Sequence, residues 1–187
     1  MKLSRSILPT AAAVAALAFA AVAATPTLAE MKEQTVTVGG APMYPSKNII
    51  QNAVNSKEHT TLVTAVKAAG LVDTLQGAGP FTVFAPTNAA FGKLPAGTVD
   101  SLVKPENKAT LTKILTYHVV AGKLEASDLT DGKKLKTVEG EELTVKKMDG
   151  KTWIVDAKGG TSMVTITNVN QSNGVIHVVD TVLMPAS

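Results

Sequence analysis

The sequence predicts an α+β domain in which helices come first and an antiparallel sheet follows. Apolar residues recur at helical spacing through residues 49–76 and 105–120. From Lys123 onward they alternate with polar residues, and glycine-containing turns separate the alternating stretches. Because the helices are grouped and do not alternate with the strands, a parallel α/β sheet is not expected.

The first 29 residues have the layout of a secretory signal peptide. A short positive start precedes an alanine-rich apolar run, and small residues follow in "TPTLAE". Ala29 is the predicted last residue before cleavage, with Ala23 or Ala24 as alternatives. An uncleaved membrane anchor is the competing interpretation, which is disfavoured because alanine is only weakly apolar. No later stretch reaches spanning length, so no membrane insertion is expected after cleavage.

The positive net charge belongs mostly to the signal peptide. Without Lys2 and Arg5, the 18 basic residues become 16 lysines facing 15 acids, and no arginine remains. Arginine is the preferred side chain for phosphates and base edges, so no nucleic-acid partner is expected. The absence of cysteine excludes disulfides, thiolate metal sites and a cysteine nucleophile. The remaining chain suffices for one hydrophobic core and therefore one domain.

Residues 30–45 form a predicted N-terminal leader ahead of the domain, which spans residues 46–187. Glycines and prolines interrupt the leader, so it either lies against the domain or stays mobile. There are accordingly two interpretations of Met43, Tyr44 and Pro45. They either form an exposed patch that contacts a partner or belong to a leader that packs against the domain.

Helix boundaries follow from capping residues. Thr60 or Thr61 is the predicted N-cap of a helix that stops at Gly70. Thr87 is the predicted cap of a short helix after the strand "FTVFAP", and "GTVDSLV" predicts a further helical turn. A longer helix after Pro105 carries one apolar stripe, formed by Leu111, Ile114, Leu115 and His118. The predicted strands after it lie in "KKLKTVEG", "EELTVKK", "KTWIVDA", "SMVTITNVN" and "GVIHVVDTVLM".

No arrangement of residues in the sequence predicts catalysis, a metal site or a cofactor. His59, His118 and His177 lack metal-ligand spacing, and no G-x-S-x-G or G-K-[ST] motif occurs. Glu141 and Glu142 are adjacent, so on a strand they point to opposite faces. We therefore expect no catalytic residue, no metal and no cofactor.

Three polar residues stand in apolar elements and are predicted to be structural. His118 lies on a helical stripe, and His177 and Asp180 lie on opposite faces of the last strand. A buried polar group without a partner costs roughly 1–3 kcal/mol, so such groups are normally hydrogen-bonded. We expect His118 and Asp180, with Thr87 and Asn88, to tie loop backbone to the sheet. Burial would hold the pKa of His118 below its ordinary value.

Three stretches in order resemble the signatures of the fasciclin-like domain family: "GPFTVFAPTNAAFGKLP", "ILTYHVVAGKL" and "NGVIHVVDTVLMP". The resemblance covers Ser46 to Met184. It implies an antiparallel β wedge or sandwich with several helices packed on it, found in exported proteins that mediate adhesion or matrix contact, and no catalytic machinery. It also implies structural motif residues, which are Thr87, Asn88, Asn173, Gly174, His177 and Asp180.

The resemblance further implies a candidate partner-binding segment. In animal relatives the tyrosine–histidine stretch is associated with cell-surface receptors, and the corresponding residues are Leu115, Tyr117 and His118. The resulting hypothesis is a secreted or periplasmic, non-enzymatic domain that contacts a cell-surface or matrix protein or a glycan. The alternative is a small-ligand or polysaccharide-binding periplasmic protein with a groove between wedge and helices. Trp153 is the only tryptophan, which is few for sugar stacking.

Overall fold

The described part of the chain, residues 35–186 of a computed structural model, contains a hairpin, a group of helices and a seven-stranded sheet. The predicted signal peptide, residues 1–29, lies outside the described residues. Among the helices that are described, none is long and apolar enough to cross a membrane. In chain order the elements are β1 (Val36–Val38), β2 (Ala41–Met43), α1 (Ile49–Ala53), α2 (Thr60–Ala69), α3 (Val72–Gln76), β3 (Phe81–Pro86), α4 (Asn88–Gly92), α5 (Thr98–Leu102), a 3-10 turn (Pro105–Asn107), α6 (Lys108–Tyr117), β4 (Val119–Ala121), β5 (Lys134–Lys136), β6 (Glu142–Met148), β7 (Lys151–Val155), β8 (Thr161–Gln171) and β9 (Gly174–Val179).

Within the segment predicted as a leader, strands β1 and β2 form a hairpin that packs against the domain. β1 and β2 pair antiparallel, and Gly39 and Gly40 turn between them with φ of +58° and +76°. Such left-handed backbone is open to glycine without strain. Val38 and Met43 are buried in the same core as the helices. Met43 therefore has no exposed side chain for partner contact, whereas Tyr44 and Pro45 are half-buried.

Helix α2 ends where the sequence predicts, but the start of α2 and the end of α6 differ from the prediction. Gly70 terminates α2 in the left-handed conformation, with φ of +74°. The N-cap position of α2 is His59, not Thr60 or Thr61, and its side chain makes no capping bond. Helix α6 stops at Tyr117, so His118, which was predicted to lie on the helical stripe, is instead the C-cap residue just beyond the helix.

All five predicted late strands are present, in a sheet of order β4-β3-β9-β8-β7-β6-β5. The α+β class and the wedge of antiparallel strands are confirmed, with one exception in the pairing. β3 and β9 run parallel, with Phe84 opposite His177. The two strands are remote in sequence, and local alternation carries no information about which strands become neighbours.

The sheet curves until its edge strands nearly meet, and this creates two cores. Val120 of β4 forms an isolated bridge to Thr137, and the Val138 N–H donates to the Val119 carbonyl at 2.7 Å. One core lies inside the curve, and the other lies between the sheet and the helices. The inner core contains Phe84, Tyr117, Val120, Leu129, Leu135, Leu143, Val145, Ile154, Val164, Val179 and Leu183.

Candidate functional site

The His118 side chain joins helix α6 to the chain after β9. Its Nδ1 donates to the Ile114 carbonyl at 2.8 Å, and its Nε2 accepts from the Leu183 N–H at 3.0 Å. Because Nε2 accepts a hydrogen bond, the ring is the neutral Nδ1–H tautomer. Burial lowers the pKa of His118 to about 4, although the Ile114 carbonyl and Asp156 favour the charged form. His118 is therefore a neutral cross-link with both nitrogens occupied.

The three candidate partner-binding residues are all inside the folded domain. Leu115 and His118 are 4% and 2% exposed, and Tyr117 is fully buried. The Tyr117 hydroxyl accepts from the Ala157 N–H at 2.8 Å. Burial raises the pKa of Tyr117 to about 12, with smaller contributions from nearby carboxylates. A partner that docks on the surface of the folded domain cannot contact these three side chains, because they are packed in its interior.

Side-chain acceptors fasten the segment after β9, residues 180–186, which we call the C-terminal strap. The Leu183 N–H binds His118, the Met184 N–H donates to Asp156 Oδ2 at 3.1 Å, and the Ala186 N–H donates to Glu141 Oε2 at 2.8 Å. Asp156 also accepts from the Gly160 N–H at 2.7 Å, so it orders the turn before β8. Asp156 was not predicted as a site residue, because its only signal in the sequence is a carboxylate at the end of a strand before a glycine turn.

His177 is completely buried on β9 and is also hydrogen-bonded at both nitrogens. Its Nε2 donates to the Leu124 carbonyl at 2.8 Å, and its Nδ1 accepts from the Asn168 N–H at 3.4 Å. The ring stacks on Phe84 of the parallel neighbour, with centroids 5.7 Å apart. Burial lowers the pKa of His177, against the opposing effect of the Leu124 carbonyl. The ring holds the loop after β4 onto the sheet.

Asp180 organises the end of β9 at the surface. Its Oδ1 accepts from the Met163 N–H at 2.9 Å, and its Oδ2 lies 3.3 Å from Lys93 Nζ. Partial burial alone would raise the pKa of Asp180, but the bonds from Met163, Thr181 and Lys93 lower it below its ordinary value. Through these contacts Asp180, which lies just after β9, is tied to the backbone of β8.

Thr87 and Asn88 cap two different helices. The Thr87 hydroxyl accepts from the Ala90 N–H at 3.2 Å and so caps its own helix, α4. Asn88 Oδ1 accepts from the Thr61 N–H at 3.0 Å, and Asn88 Nδ2 donates to the Lys57 carbonyl at 2.9 Å. The start of α2 is thus capped by a residue from another helix, which explains why no local capping residue is used.

Asn173 and Gly174 join the helices to the sheet at the start of β9. Asn173 Oδ1 accepts from the Ile49 N–H at 3.1 Å, and its Nδ2 donates to the Leu75 carbonyl at 2.7 Å. Helices α1 and α3 are therefore held by one amide. A methyl group on Gly174 would lie 2.0 Å from the Phe81 carbonyl oxygen, so this position needs glycine.

Two of the three histidines line one cavity, but they do not form a catalytic pair. His59 and His118 share a small apolar cavity between the helices and the sheet. The nitrogens of His118 are both bound to backbone, and burial lowers the pKa of His59 as well. His177 is not among the residues around this cavity. Within residues 35–186, no three histidine, aspartate or glutamate side chains form a metal-binding group.

A half-exposed apolar face lies on the outer side of β6, β7 and β8. Trp153 pairs with Lys146 on one side and Met163 on the other, and Val155 lies between Thr144 and Thr161. The alternate residues Leu143, Val145 and Ile154 point into the inner core. We call this surface the Trp153 face, formed by Thr144, Lys146, Trp153, Val155, Thr161 and Met163. The alternation in "KTWIVDA" predicts that Trp153 and Val155 share a face, but only the strand register adds Met163.

A helical layer on a nearly closed, mostly antiparallel sheet defines a class of α+β domain in which the polar motif residues hold the fold together. The chain belongs to the fasciclin family: the sequence model of that family, described as "Fasciclin domain", matches residues 57–185. The resemblance of the three signature stretches is thereby confirmed.

Relatives in bacteria extend over most of the chain. "Protein sll1483" of Synechocystis sp. is 48% identical over 160 residues, covering 84% of this chain and 86% of that protein. "Immunogenic protein MPB70" of Mycobacterium bovis is 35% identical and covers 99% of both chains. "Cell surface glycolipoprotein MPB83" of the same species is 41% identical over 138 residues, covering 71% of this chain and 58% of that protein.

A solved structure has the same fold. The FAS1 domain pair from the insect cell adhesion molecule Fasciclin I superposes with a TM-score of 0.67 at 19% identity. The match covers 75% of this chain and 52% of that chain, so this chain spans about half of the solved domain pair.

Proposed function

We propose that this protein is an exported, non-enzymatic binding domain that contacts a cell-surface or matrix protein through the Trp153 face. Three lines support the proposal. A relative is named "Cell surface glycolipoprotein MPB83", and residues 1–29 have the pattern of a signal peptide. The buried histidines His118 and His177 are each bound at both nitrogens, which leaves them no part in proton transfer.

The half-exposed tryptophan is the observation that carries the choice of surface. Interface centres are enriched in tryptophan and methionine, and their rims are polar. The Trp153 face has this composition, since Trp153, Val155 and Met163 are half-buried between Thr144, Thr161 and the exposed Lys146. A rigid sheet holds these side chains in place, so little conformational entropy is lost when a partner covers them.

The test uses the chain from Glu30 onward, immobilised as bait against the envelope fraction of the producing organism. Trp153→Lys should lose at least tenfold in capture of the bound protein, because a charge replaces the apolar centre of the surface. Val54→Lys is the matched control, since Val54 is 49% exposed on the helical side and should leave capture unchanged. Far-UV circular dichroism verifies that both variants are folded.

Digestion of the envelope fraction distinguishes the classes of partner. Protease treatment should abolish capture, whereas glycosidase treatment should leave it intact. Equal capture by wild type and Trp153→Lys would refute the surface, and loss of capture with glycosidase alone would favour the polysaccharide alternative. Ester or glycoside turnover by the homogeneous chain would refute the non-enzymatic proposal.

A further inference from the structure

Four exposed lysines lie on the same outer side of the sheet as the Trp153 face. On β5, β6 and β7 the outward residues alternate with residues of the inner core, and the strand register fixes which outward residues are neighbours. We call the four lysines the lysine border, which is formed by Lys134 and Lys136 on β5, Lys146 on β6 and Lys151 on β7. Lys146, which also belongs to the Trp153 face, lies directly opposite Trp153, and Lys151 lies two residues before Trp153 on β7.

The positive charge of the lysine border exceeds what its neighbours neutralise. Glu142 is the one carboxylate that strands β5, β6 and β7 carry on this side, and its Oε2 lies 3.2 Å from Lys134 Nζ. Within residues 35–186, Lys136, Lys146 and Lys151 form no ion pair. Three ammonium groups on this surface therefore have no counter-charge from the described chain.

The spacing of these lysines is unfavourable in the free domain. Lys134 pairs with Thr144, two residues from Lys146, and Lys151 pairs with Met148, also two residues from Lys146. Both lysines are therefore diagonal neighbours of Lys146, at about 7–8 Å, where like charges still repel. Lysines on an edge strand deter pairing with other chains, which accounts for those on β5. Strands β6 and β7 are interior strands, so edge protection does not explain their lysines.

The helices do not cover this side of the sheet. The core between the sheet and the helices takes residues from β3, β4, β8 and β9, and among the described residues it takes none from β5, β6 or β7. Beside the lysine border, Met148 is 48% exposed, and Trp153 and Met163 are half-buried. Apolar side chains and unpaired ammonium groups therefore lie next to each other on one accessible surface.

We propose that the partner of the Trp153 face is an acidic protein surface in which carboxylates flank an apolar side chain. This inference rests on the proposed function and adds the chemistry of the partner to it. The apolar side chain covers Trp153 and Met163, while aspartate or glutamate side chains pair with Lys146 and Lys151. Complementary charge speeds association and disfavours partners of the wrong charge.

Other anionic partners fit this surface less well. Insertion into an anionic membrane needs an apolar face that enters the lipid, whereas Trp153, Val155 and Met163 are half-buried on a sheet that also carries the lysines. A nucleic acid is disfavoured because the chain has no arginine beyond Arg5 and Glu142 lies among the lysines. An acidic polysaccharide would neutralise the ammonium groups but supplies no apolar side chain for Trp153 and Met163.

The test measures how poly(Glu,Tyr), a random copolymer with carboxylates and apolar side chains, binds to the chain from Glu30 onward. Trp153 is the only tryptophan, so its fluorescence, excited where tyrosine does not absorb, reports contact at this surface. The signal should change saturably, and the Kd should rise at least tenfold when NaCl is raised from about 0.05 M to about 0.5 M. Poly(Lys,Tyr), which has the same apolar side chain and the opposite charge, should give no saturable change. Absence of saturable binding to poly(Glu,Tyr) would overturn the proposal.

Charge reversal locates the binding on the protein. Lys146→Glu/Lys151→Glu should raise the Kd for poly(Glu,Tyr) at least tenfold at low salt. Lys57→Glu/Lys104→Glu is the matched control, because it changes the net charge equally at two exposed turn positions between helices, and its Kd should stay within twofold of wild type. Equal losses in the two variants would show a response to net charge alone and would overturn the proposal. If Lys146→Glu/Lys151→Glu does not fold, Lys146→Gln/Lys151→Gln replaces it and should raise the Kd at least threefold.

Capture from the envelope fraction separates this inference from the proposed surface. Trp153→Ser, which changes no charge, and Lys146→Glu/Lys151→Glu should both lose at least tenfold in capture at low salt. Capture lost in Trp153→Ser but unchanged in Lys146→Glu/Lys151→Glu would overturn the acidic partner and leave the surface standing. The converse result would refute Trp153 as the centre of the surface and support the acidic partner. Tighter binding to phosphatidylglycerol vesicles than to poly(Glu,Tyr), abolished by Lys146→Glu/Lys151→Glu, would overturn the proposal in favour of an anionic membrane.

Discussion

The imidazole of His118 illustrates how a residue that looks catalytic becomes part of the fold. It bridges the last turn of α6 and the C-terminal strap, which are 65 residues apart in the chain, through two hydrogen bonds. Both bonds require the neutral ring, because protonation of Nε2 would place a proton against the Leu183 N–H. Burial opposes the charged form for the same reason.

The pKa of His118 predicts a stability that depends on pH. The folded pKa of about 4 lies below the unfolded value near 6.5, so the unfolded state binds more protons between them. The contribution of His118 is complete above pH 6.5, decreases as pH falls towards 4 and is lost below 4. His59 and His177 act in the same direction, since burial lowers the pKa of each.

His118→Gln should flatten the acid limb of this dependence. Wild type should lose about 3 kcal/mol of unfolding free energy through His118 between pH 6.5 and 4, and the variant should lose less by about that amount. Urea unfolding at half-unit pH intervals measures both slopes. The carboxyl of Asp180 titrates below this window because its pKa is lowered. Identical slopes would show that the His118 ring is solvated.

At the scale of elements, the parallel pair of β3 and β9 depends on close backbone contact. Phe81 lies opposite Gly174, and the Phe81 N–H donates to the Asn173 carbonyl at 3.1 Å. The Asn173 side chain then holds α1 and α3 over the same end of the sheet. A side chain at position 174 would separate the strands and displace these helix contacts together.

Gly174→Ala should destabilise the domain by about 3 kcal/mol or more, because its methyl group would lie 2.0 Å from the Phe81 oxygen. Gly92→Ala is the matched control. Position 92 ends α4 with no atom within 4 Å of a new methyl group, so alanine should be neutral or stabilise by up to about 1 kcal/mol. Chemical denaturation of the two variants beside wild type measures the difference. Equal stability of Gly174→Ala and wild type would contradict the close approach of the strands.

At the scale of the whole molecule, the same strands and strap serve both cores. On β3, Val83 and Ala85 face the helices while Phe84 faces the inner core. In the strap, Val182 belongs to the core between the sheet and the helices, and Leu183 belongs to the inner core. Neither core can therefore lose its packing without exposing residues adjacent to those of the other.

The domain should consequently unfold in one cooperative transition. Circular dichroism at 222 nm follows the helices, and the fluorescence of Trp153 follows the β6–β8 part of the sheet. The two unfolding curves in urea should superimpose in midpoint and slope. Helix loss at a lower urea concentration than the fluorescence change would show that the two cores are separate folding units.

The sequence could predict most features that depend on neighbouring residues, although not the hairpin of β1 and β2 or the end of α6 at Tyr117. Alternation and glycine turns located the five late strands, and helical spacing located the helices. The capping function of Thr87 and the stop at Gly70 were also local signals. His177 and Asp180 in the last signature were expected to be structural, because a buried polar group without a hydrogen-bond partner destabilises the fold.

Contacts between distant segments could not be predicted in this way. Local alternation does not indicate that β3 lies parallel to β9, that Asn88 caps α2, or that the Leu183 N–H donates to His118. The candidate partner-binding residues were assigned by resemblance, and their burial follows from the packing of α6 on the sheet.

The sequence by itself determined most of the elements, the class of fold, the family resemblance and the absence of cysteine chemistry, because each depends on composition or on spacing within a few residues. The tertiary structure alone decided which side chains are hidden and which are presented. It buried Tyr117 and His118 and left Trp153 only half-buried on the outer side of the sheet. The physical reason is that burial and hydrogen bonding are set by segments that lie far apart along the chain and meet only when the sheet closes.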